Sequence, residues 1–431
     1  MKAIFKLLFT AIFCICLLTI AQGQNLILKQ TNETGVYKKG QKIQVFLILK
    51  DHSKDSVLIK IRKNYSNQVS QKSVRFTDDS LLIFDETFNE PSSAIFEAST
   101  KSETTSIGLV VEPGMFKPGT TRPKDFDQFW KAQKKAIRAI PMDVKKVPVK
   151  ESGNGFNCFD TEINCIGPKP ARGYFAKPEL AKPKSLPIVL LVHAAGVKGF
   201  WCRSEPVNAL RYAKMGKGTL CFDLNAHGML NGQPEEYYVN LENGELKNYY
   251  HKGLENIKDF YFRGMYDRLI RTLDFLTSQP EWDGKRIIVI GESQGGGQAL
   301  AAAGLDKRVT VAVATVPAMC DWGGTLVNRK GGWPQPFEVK GDKDKMISTL
   351  PYFDAAHLLM NSKATILVEI GLIDNTCPST SVYAAVNEAK GRKIIYAVPY
   401  RPHQAPSNYL KKVWENDVYK PREAFISDFL K

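Results

Sequence analysis

Residues 286–300 read Arg-Ile-Ile-Val-Ile-Gly-Glu-Ser-Gln-Gly-Gly-Gly-Gln-Ala-Leu, and this stretch decides the fold. Five residues rich in Ile and Val form a short apolar run of the kind buried on both faces of a parallel sheet. The Gly/Ala-rich run 293–305 that follows suits a helix packed tightly against its strand. Between them lies G-x-S-x-G, here Gly291, Glu292, Ser293, Gln294 and Gly295. In a strand–turn–helix setting such a Ser sits on a tight turn with its hydroxyl raised above the sheet. The small residues at 291 and 295 let strand and helix pass closely. Ser293 is therefore the candidate nucleophile. The N–H of Gln294, at the helix N-terminus, is a candidate donor to an oxyanion.

Outward from this turn, further short apolar runs at 188–192, 219–222, 309–314, 364–370 and 393–398 alternate with helical patterns. In residues 258–278, Met265, Leu269, Leu273 and Leu276 share one helical face. Alternating β and α implies an α/β fold, a mostly parallel sheet with helices on both faces. Active sites of such sheets lie beyond the carboxyl ends of the strands. A serine nucleophile needs a base, and the base an orienting acid, in the chain order Ser, Asp or Glu, His for this kind of turn. Two histidines follow Ser293. His357 falls in a helical stretch and reads as a packing residue. His403 lies in a polar loop after strand 393–398, where a base belongs. Asp374 follows strand 364–370 and is preferred as the acid over Asp354, which enters a helix. The second oxyanion donor should come from the loop after strand 188–192, and the N–H of Ala195 fits. His193, beside it, reads as structural.

The other end of the chain is organised differently. Lys2 and Lys6 precede an apolar stretch over 7–20, and Ala21-Gln22-Gly23 follows. That is the pattern of a secretory signal peptide cut after Gly23, which directs the protein to the periplasm or outside the cell. The stretch is short for a membrane span, and no other segment approaches span length without charges, so none is expected. Residues 24–112 read as short strands between polar turns, notably 42–49, 56–61, 80–84 and 106–111, the pattern of a small β-sandwich. A Pro/Gly-rich linker and one helix occupy 113–145. Phe126, Phe129, Trp130, Ile137 and Ile140 fall on one face of that helix. The α/β domain is expected over 146–431.

The 431 residues are 43% hydrophobic and 24% charged, an ordinary globular composition that excludes disordered and low-complexity chains. The formal charge is +15, yet no lysine run exceeds two, so the charge reads as a solvated basic surface and not a nucleic-acid site. Six cysteines follow the leader. Cys158 and Cys165 flank a polar segment and could close a hairpin loop; Cys221, inside an apolar strand, reads as a buried free thiol. No CxxC, HExxH or Cys/His cluster occurs, so neither a metal nor another cofactor is expected.

With these residues in hand the chain resembles the acetyl xylan esterase/cephalosporin C deacetylase family, carbohydrate esterase family seven. The similarity runs over about 123–404 and includes Asp125 to Trp130, Tyr261 to Leu276, Gly291 to Gly296, residues 351–355 and the long stretch 371–387, GLIDNTCPSTSVYAAVN. The resemblance implies an α/β-hydrolase that removes acetyl groups from sugars through a Ser-His-Asp triad without metal. It places the triad on Ser293, Asp374 and His403 and the oxyanion amides on Ala195 and Gln294. Acylated oligo- or polysaccharides are the implied substrates, and the oligomeric state is left open. The chain departs from the family pattern in three places. His-Gly-Tyr is here His193-Ala194-Ala195, Arg-Gly-Gln-Gly is Asn225-Ala226-His227-Gly228, and His-Glu is His403-Gln404. His193, Trp201, His227 and Trp322 are placed around the substrate pocket. Losing the Tyr ring at 195 predicts a weaker preference for acetyl over longer acyl groups unless Trp201 or Trp322 fills the gap. Feruloyl or methyl esterases, peptidases and a catalytically silent glycan-binding protein are the alternative readings.

Overall fold

The computed structural model describes residues 26–50, 56–66, 69–75 and 79–431. The expected leader over residues 1–23 lies outside the described residues.

Eight strands come first: β1 (Leu26–Gln30), β2 (Val36–Tyr37), β3 (Lys42–Leu49), β4 (Val57–Lys63), β5 (Val69–Val74), β6 (Ser80–Thr87), β7 (Ser92–Ser99) and β8 (Thr104–Val111). They form two small sheets, ordered β1-β3-β6 and β2-β8-β7-β4-β5. Alternate residues of β3, namely Ile43, Val45, Leu47 and Leu49, point into a core shared with Ile59, Phe96 and Leu109 of the second sheet. That period of two is what a sheet with one wet face requires. Strands β5 and β7 are absent from the apolar runs read in the sequence. Strand β5 is VSQKSV, with no buried residue, and exists through its pairing with β4.

The remaining strands are β9 (Lys145–Pro148), β10 (Phe156–Ile163), β11 (Ala171–Pro178), β12 (Leu186–Val192), β13 (Leu220–Asn225), β14 (Trp282–Glu292), β15 (Val311–Thr315), β16 (Thr365–Gly371) and β17 (Lys393–Val398). They make one nine-stranded sheet ordered β17-β16-β15-β14-β12-β13-β11-β10-β9. From β13 to β17 every pairing is parallel, whereas β11, β10 and β9 extend the sheet antiparallel. The α/β expectation with a mostly parallel sheet therefore holds, and the antiparallel edge is added by strands too polar to stand out as apolar runs. The helices are α1 (Phe126–Ala139), α2 (Pro206–Ala213), α3 (Glu235–Asn243), α4 (Tyr261–Thr277), α5 (Gln294–Leu305), α6 (Lys343–Thr349), α7 (Ala355–Leu358), α8 (Ser379–Val386), α9 (Asn408–Trp414) and α10 (Lys420–Phe429).

Successive strand residues alternate between two cores. Ile188, Leu190, Ile287 and Val289 face α1, α4, α5 and α8. Val189, Leu191 and Ile288 face α2 and the C-terminal residues Ile426 and Leu430. Both faces are dry, which is why these strands read as unbroken apolar runs.

One pairing expectation is corrected. Cys158 lies inside β10 and Cys165 just beyond its end. An extended strand rises about 3.3 Å per residue, so the two stand on the order of 20 Å apart. A disulfide needs Cα atoms within about 7 Å. Both are free and buried, as is Cys221 within β13.

Candidate active site

Strand β14 ends at Glu292 and α5 begins at Gln294, so Ser293 alone makes the turn, with φ 54° and ψ −118°. Such a backbone is unfavourable for a residue with a Cβ and persists only where its surroundings hold it. Here the Ser293 N–H donates to Thr315 O at 2.9 Å, and its carbonyl accepts from Gly297 at 3.0 Å and Ala318 at 2.9 Å. Gly291 and Gly295 are required by close approach. A Cβ on Gly291 would run into the Gly295 carbonyl, and one on Gly295 into the Val192 carbonyl.

Ser293 Oγ lies 2.9 Å from His403 Nε2, and His403 Nδ1 lies 2.8 Å from Asp374 Oδ2. Asp374 Oδ1 accepts the N–H groups of Thr376 and Cys377, each at 2.8 Å. A carboxylate so engaged is an acceptor, so His403 Nδ1 carries the proton and Nε2 presents its lone pair to the serine. The three side chains come from the carboxyl ends of β14, β16 and β17 and meet. Asp354 does not compete, because its carboxylate accepts from the N–H groups of Asp321, Trp322 and Ala356. His357 is buried in α7 and pairs with Thr120 Oγ1 at 2.9 Å, a packing residue as read.

The Ala195 loop and the start of α5 flank the serine. Gln294 is the first residue of α5, where an N–H has no intrahelical acceptor. Ala195 lines the cleft with Ser293 and His403. The loop is pinned one residue on. Gly196 N–H donates to Tyr249 Oη at 3.3 Å, and Tyr249 O–H donates to Gln294 Oε1 at 2.6 Å. One buried tyrosine thus ties both halves of this arrangement together.

His227 is the second pin, and here the pocket expectation is corrected. It does not line the cleft but lies buried beneath it, with Nε2 2.9 Å from Gly196 O and Nδ1 2.7 Å from Tyr261 Oη. Burial, helped by the nearby Arg268 charge, pushes its pKa down to about 3. The neutral ring donates through Nε2 to the loop and accepts through Nδ1 from the tyrosine. A folded-state pKa below the ordinary imidazole value of ~6.5 means the unfolded chain binds more protons across the window between them, so stability falls as pH falls. Wild type is expected to lose about 2 kcal/mol more than His227→Gln on going from pH 7 to pH 5, at ~1.4 kcal/mol per unit below ~6.5. Urea unfolding of both proteins at the two pH values checks this. Equal losses would refute it.

His193 lines the cleft with its Nε2 hydrogen-bonded to Asp223 Oδ1. Burial opposes its charged form, but the Asp223 carboxylate, by charge and hydrogen bond, more than offsets this and raises the pKa. Its ring is held by Asp223 as part of the cleft wall. Trp201 also lines the cleft, 56% exposed, with its indole N–H on Ala195 O at 3.1 Å. Trp322 does not reach the cleft, which corrects the second pocket expectation. It is buried against Phe262 and Phe260, and its indole N–H donates to Trp333 O at 3.1 Å. The chain reverses between them, so Trp333 takes the lining position. Glu292, Thr376 and Gln404 complete the wall. Of these, Gln404 and Thr376 were legible as neighbours of His403 and Asp374, whereas Trp333 and Tyr249 carried no signal in the sequence.

Among the described residues, one set of side chains with metal-ligand chemistry converges, Asp374, Cys377 and His403, with ligand atoms within 4.8 Å of one another. Two of the three are already bonded to each other, and burial pushes the Cys377 thiol well up, so its thiolate is disfavoured. The set suits proton handling better than metal binding.

The profile of the acetyl xylan esterase (AXE1) family matches residues 112–417. Acetyl esterase Axe7A of Xylanibacter ruminicola is 33% identical over 312 residues, 70% of this chain and 69% of that protein. The solved acetyl xylan esterase from Paenibacillus sp. R4 superposes with a TM-score of 0.60 at 26% identity, covering 74% of this chain and 98% of that one. Acetyl xylan esterase 1 from Thermoanaerobacterium sp. gives the same TM-score at 19% identity and the same coverages, a likeness of fold.

Proposed function

The chain belongs to the acetyl xylan esterase family and is a carboxylic ester hydrolase, and we propose that it removes acetyl or similarly small acyl groups from glycans such as acetylated xylan, through Ser293, His403 and Asp374. The observation that carries the mechanism is the continuous hydrogen-bond chain from Ser293 Oγ through the His403 ring to the buried Asp374 carboxylate. His403 Nε2 takes the hydroxyl proton as Ser293 Oγ attacks the acyl carbon. The oxyanion that forms is met by the Ala195 and Gln294 N–H groups, an interaction worth ~3 kcal/mol per donor in comparable sites. The His403 imidazolium, steadied by Asp374, then delivers its proton to the departing sugar oxygen. The acyl–Ser293 ester is hydrolysed by water along the reverse path, releasing the carboxylic acid and restoring the serine.

A glycan as the alcohol half is supported by the shape of the cleft. It has a volume of about 650 Å³, ample for a sugar ring beside an acetyl group. Trp201 lines it and is exposed, as is the adjacent Phe200, whose ring meets the indole edge-on, and an exposed indole offers an apolar face on which a sugar ring can stack. We place the reaction in the periplasm or outside the cell, where polymeric glycans are met, on the strength of residues 1–23.

With Trp201 given to the sugar, Trp333 is the indole in the cleft left to wall the acyl group beside Ala195. Trp333→Ala is expected to raise kcat/KM for aryl butyrate relative to aryl acetate about tenfold, since methylene discrimination in such pockets spans ~1–3 kcal/mol. The panel of aryl acetate, propionate, butyrate, a feruloyl ester, a peptide anilide and acetylated xylo-oligosaccharide tests the reading. Fast turnover of the acetates, with acetate released from the oligosaccharide, supports it. Preference for the feruloyl ester or the anilide would move the assignment to those classes.

A further inference from the structure

The two N-terminal sheets precede the residues matched to the family, yet they grip the loops that carry Asp374 and His403. At the end of β4 the chain turns through Asn64 and Tyr65, with φ of 50° and 57°. Two successive left-handed residues with side chains are unfavourable, and such strain tends to gather where a side chain must be aimed. The turn is locked by Asn64, whose N–H donates to Ser93 O at 2.9 Å and whose Oδ1 accepts from Ser93 N–H at 2.8 Å. It aims Tyr65 out of its own sheet and into the α/β domain, where the ring is buried. There the hydroxyl donates to Leu372 O at 3.0 Å and accepts from Ser379 N–H at 3.1 Å, with Ser379 Oγ also at 3.0 Å.

Leu372 and Ser379 are the two ends of the loop that holds Asp374, Thr376 and Cys377. One hydroxyl therefore closes that loop across its base. Arg62, on β4, donates to Asn375 Oδ1 at 3.0 Å within the same loop. A third contact reaches the base. Gly108 N–H of β8 donates to Pro399 O at 2.8 Å, at the end of β17 just before the His403 loop. Residue 108 must be Gly, because a Cβ there would collide with the Leu372 carbonyl.

We propose that the N-terminal sheets are a working part of the active site, with Tyr65 a positioning residue that sets the Asp374 loop and, through it, the His403 ring. This inference rests on the triad reading above. Burial raises the Tyr65 pKa, so the hydroxyl keeps its proton throughout the working range. A mere packing role would alter stability and leave the chemistry of the folded enzyme unchanged, whereas a displaced acid slows the chemical step without weakening substrate binding.

The test is Tyr65→Phe in the full chain, which keeps the ring and removes only the hydroxyl, assayed alone and in an Asp374→Asn background. Alone it should lower kcat on aryl acetate about tenfold with KM within twofold, since small misplacements of a reacting group are costly. In the Asp374→Asn background it should cause no further loss, because its effect runs through the missing carboxylate. A kcat within twofold of wild type, or the same loss in both backgrounds, overturns the proposal. If Tyr65→Phe does not yield folded protein, Arg62→Ala decides. A kcat lowered about threefold at unchanged KM supports the proposal, and an unchanged kcat overturns it. Failure of the triad reading shows separately, as near-wild-type activity of the Asp374→Asn parent.

Discussion

Ser293→Ala is expected to lower ester hydrolysis by at least ~10⁴-fold while leaving the fold intact, and His403→Ala to cost nearly as much, because members of a triad act as a unit. The substitution removes one oxygen, the one 2.9 Å from the imidazole. It leaves the bonds from the Ser293 backbone to Thr315, Gly297 and Ala318, which hold the turn. Asp374→Asn should fall in the same range, ~10⁴-fold, because an amide facing His403 favours the wrong tautomer of the ring. Steady-state kcat on aryl acetate measures all three, and a serine-directed fluorophosphonate should add its mass to wild type and not to Ser293→Ala. Activity of Ser293→Ala within tenfold of wild type would sink the mechanism.

The second large effect is expected at Arg401. Glu369, in β16, is fully buried; its carboxylate accepts from Arg422 Nη1 at 3.1 Å and the Trp414 indole N–H at 2.7 Å, and it forms an ion pair with Arg401, whose Nε is 3.1 Å away but not aligned to donate. Arg401 is itself buried, and its other nitrogens reach Gln404 O at 2.6 Å and Glu292 at 3.4 Å. It therefore joins the residue before Ser293, strand β16 and the loop of His403. Removing one partner of a buried ion pair leaves uncompensated charge and costs ~3–5 kcal/mol. With Arg422 still in place, Arg401→Leu should lie near the lower end, about 3 kcal/mol. It also frees the loop on which His403 sits, so kcat should drop about 10²-fold in the protein that remains folded. Denaturant unfolding and kcat on the same preparation separate the two losses. Loss of stability with kcat unchanged would show that the loop keeps its place without the arginine.

Legibility tracked burial and local chain geometry. The strands β12, β13, β15 and β16 and the centre of β14 stood out because both their faces are dry, so nearly every residue is apolar, while the edge strand β17 stood out by its apolar residues although it is only half-buried. The Ser293 turn stood out because its constraints are local. One residue lies between strand and helix, with glycines on both sides where a side chain would strike backbone. Asp374 and His403 followed because each is placed by the end of a strand already recognised. By contrast β5 and the antiparallel edge β9 to β11 are held by backbone pairing to the strands next to them in the chain, and such pairing leaves little trace in a polar strand's own composition.

The pocket shows the same division. Ala195 and Gln294 were reached by counting from the ends of known strands, and His193 and Trp201 were placed at the pocket alongside the family resemblance. His227 and Trp322 were misplaced because aromatic rings near an active-site loop in sequence can lie in front of it or behind it. Which side they take depends on packing against Tyr249, Tyr261, Phe260 and Phe262, residues of other segments.

From the order of residues alone came the α/β architecture, the serine turn, the choice of Asp374 and His403 as its candidate partners, and the family, since each is written in short contiguous patterns whose physical constraints act within a turn or a strand. The tertiary structure alone decided that Trp333 and not Trp322 faces the cleft, that His227 is a neutral prop beneath the Ala195 loop, and that Tyr65 closes the loop of Asp374. Those outcomes depend on contacts between segments tens to hundreds of residues apart, as with the 307 positions separating Tyr65 from Leu372. Such contacts form when whole sheets and helices pack, and side-chain direction is then set by the space the neighbours leave.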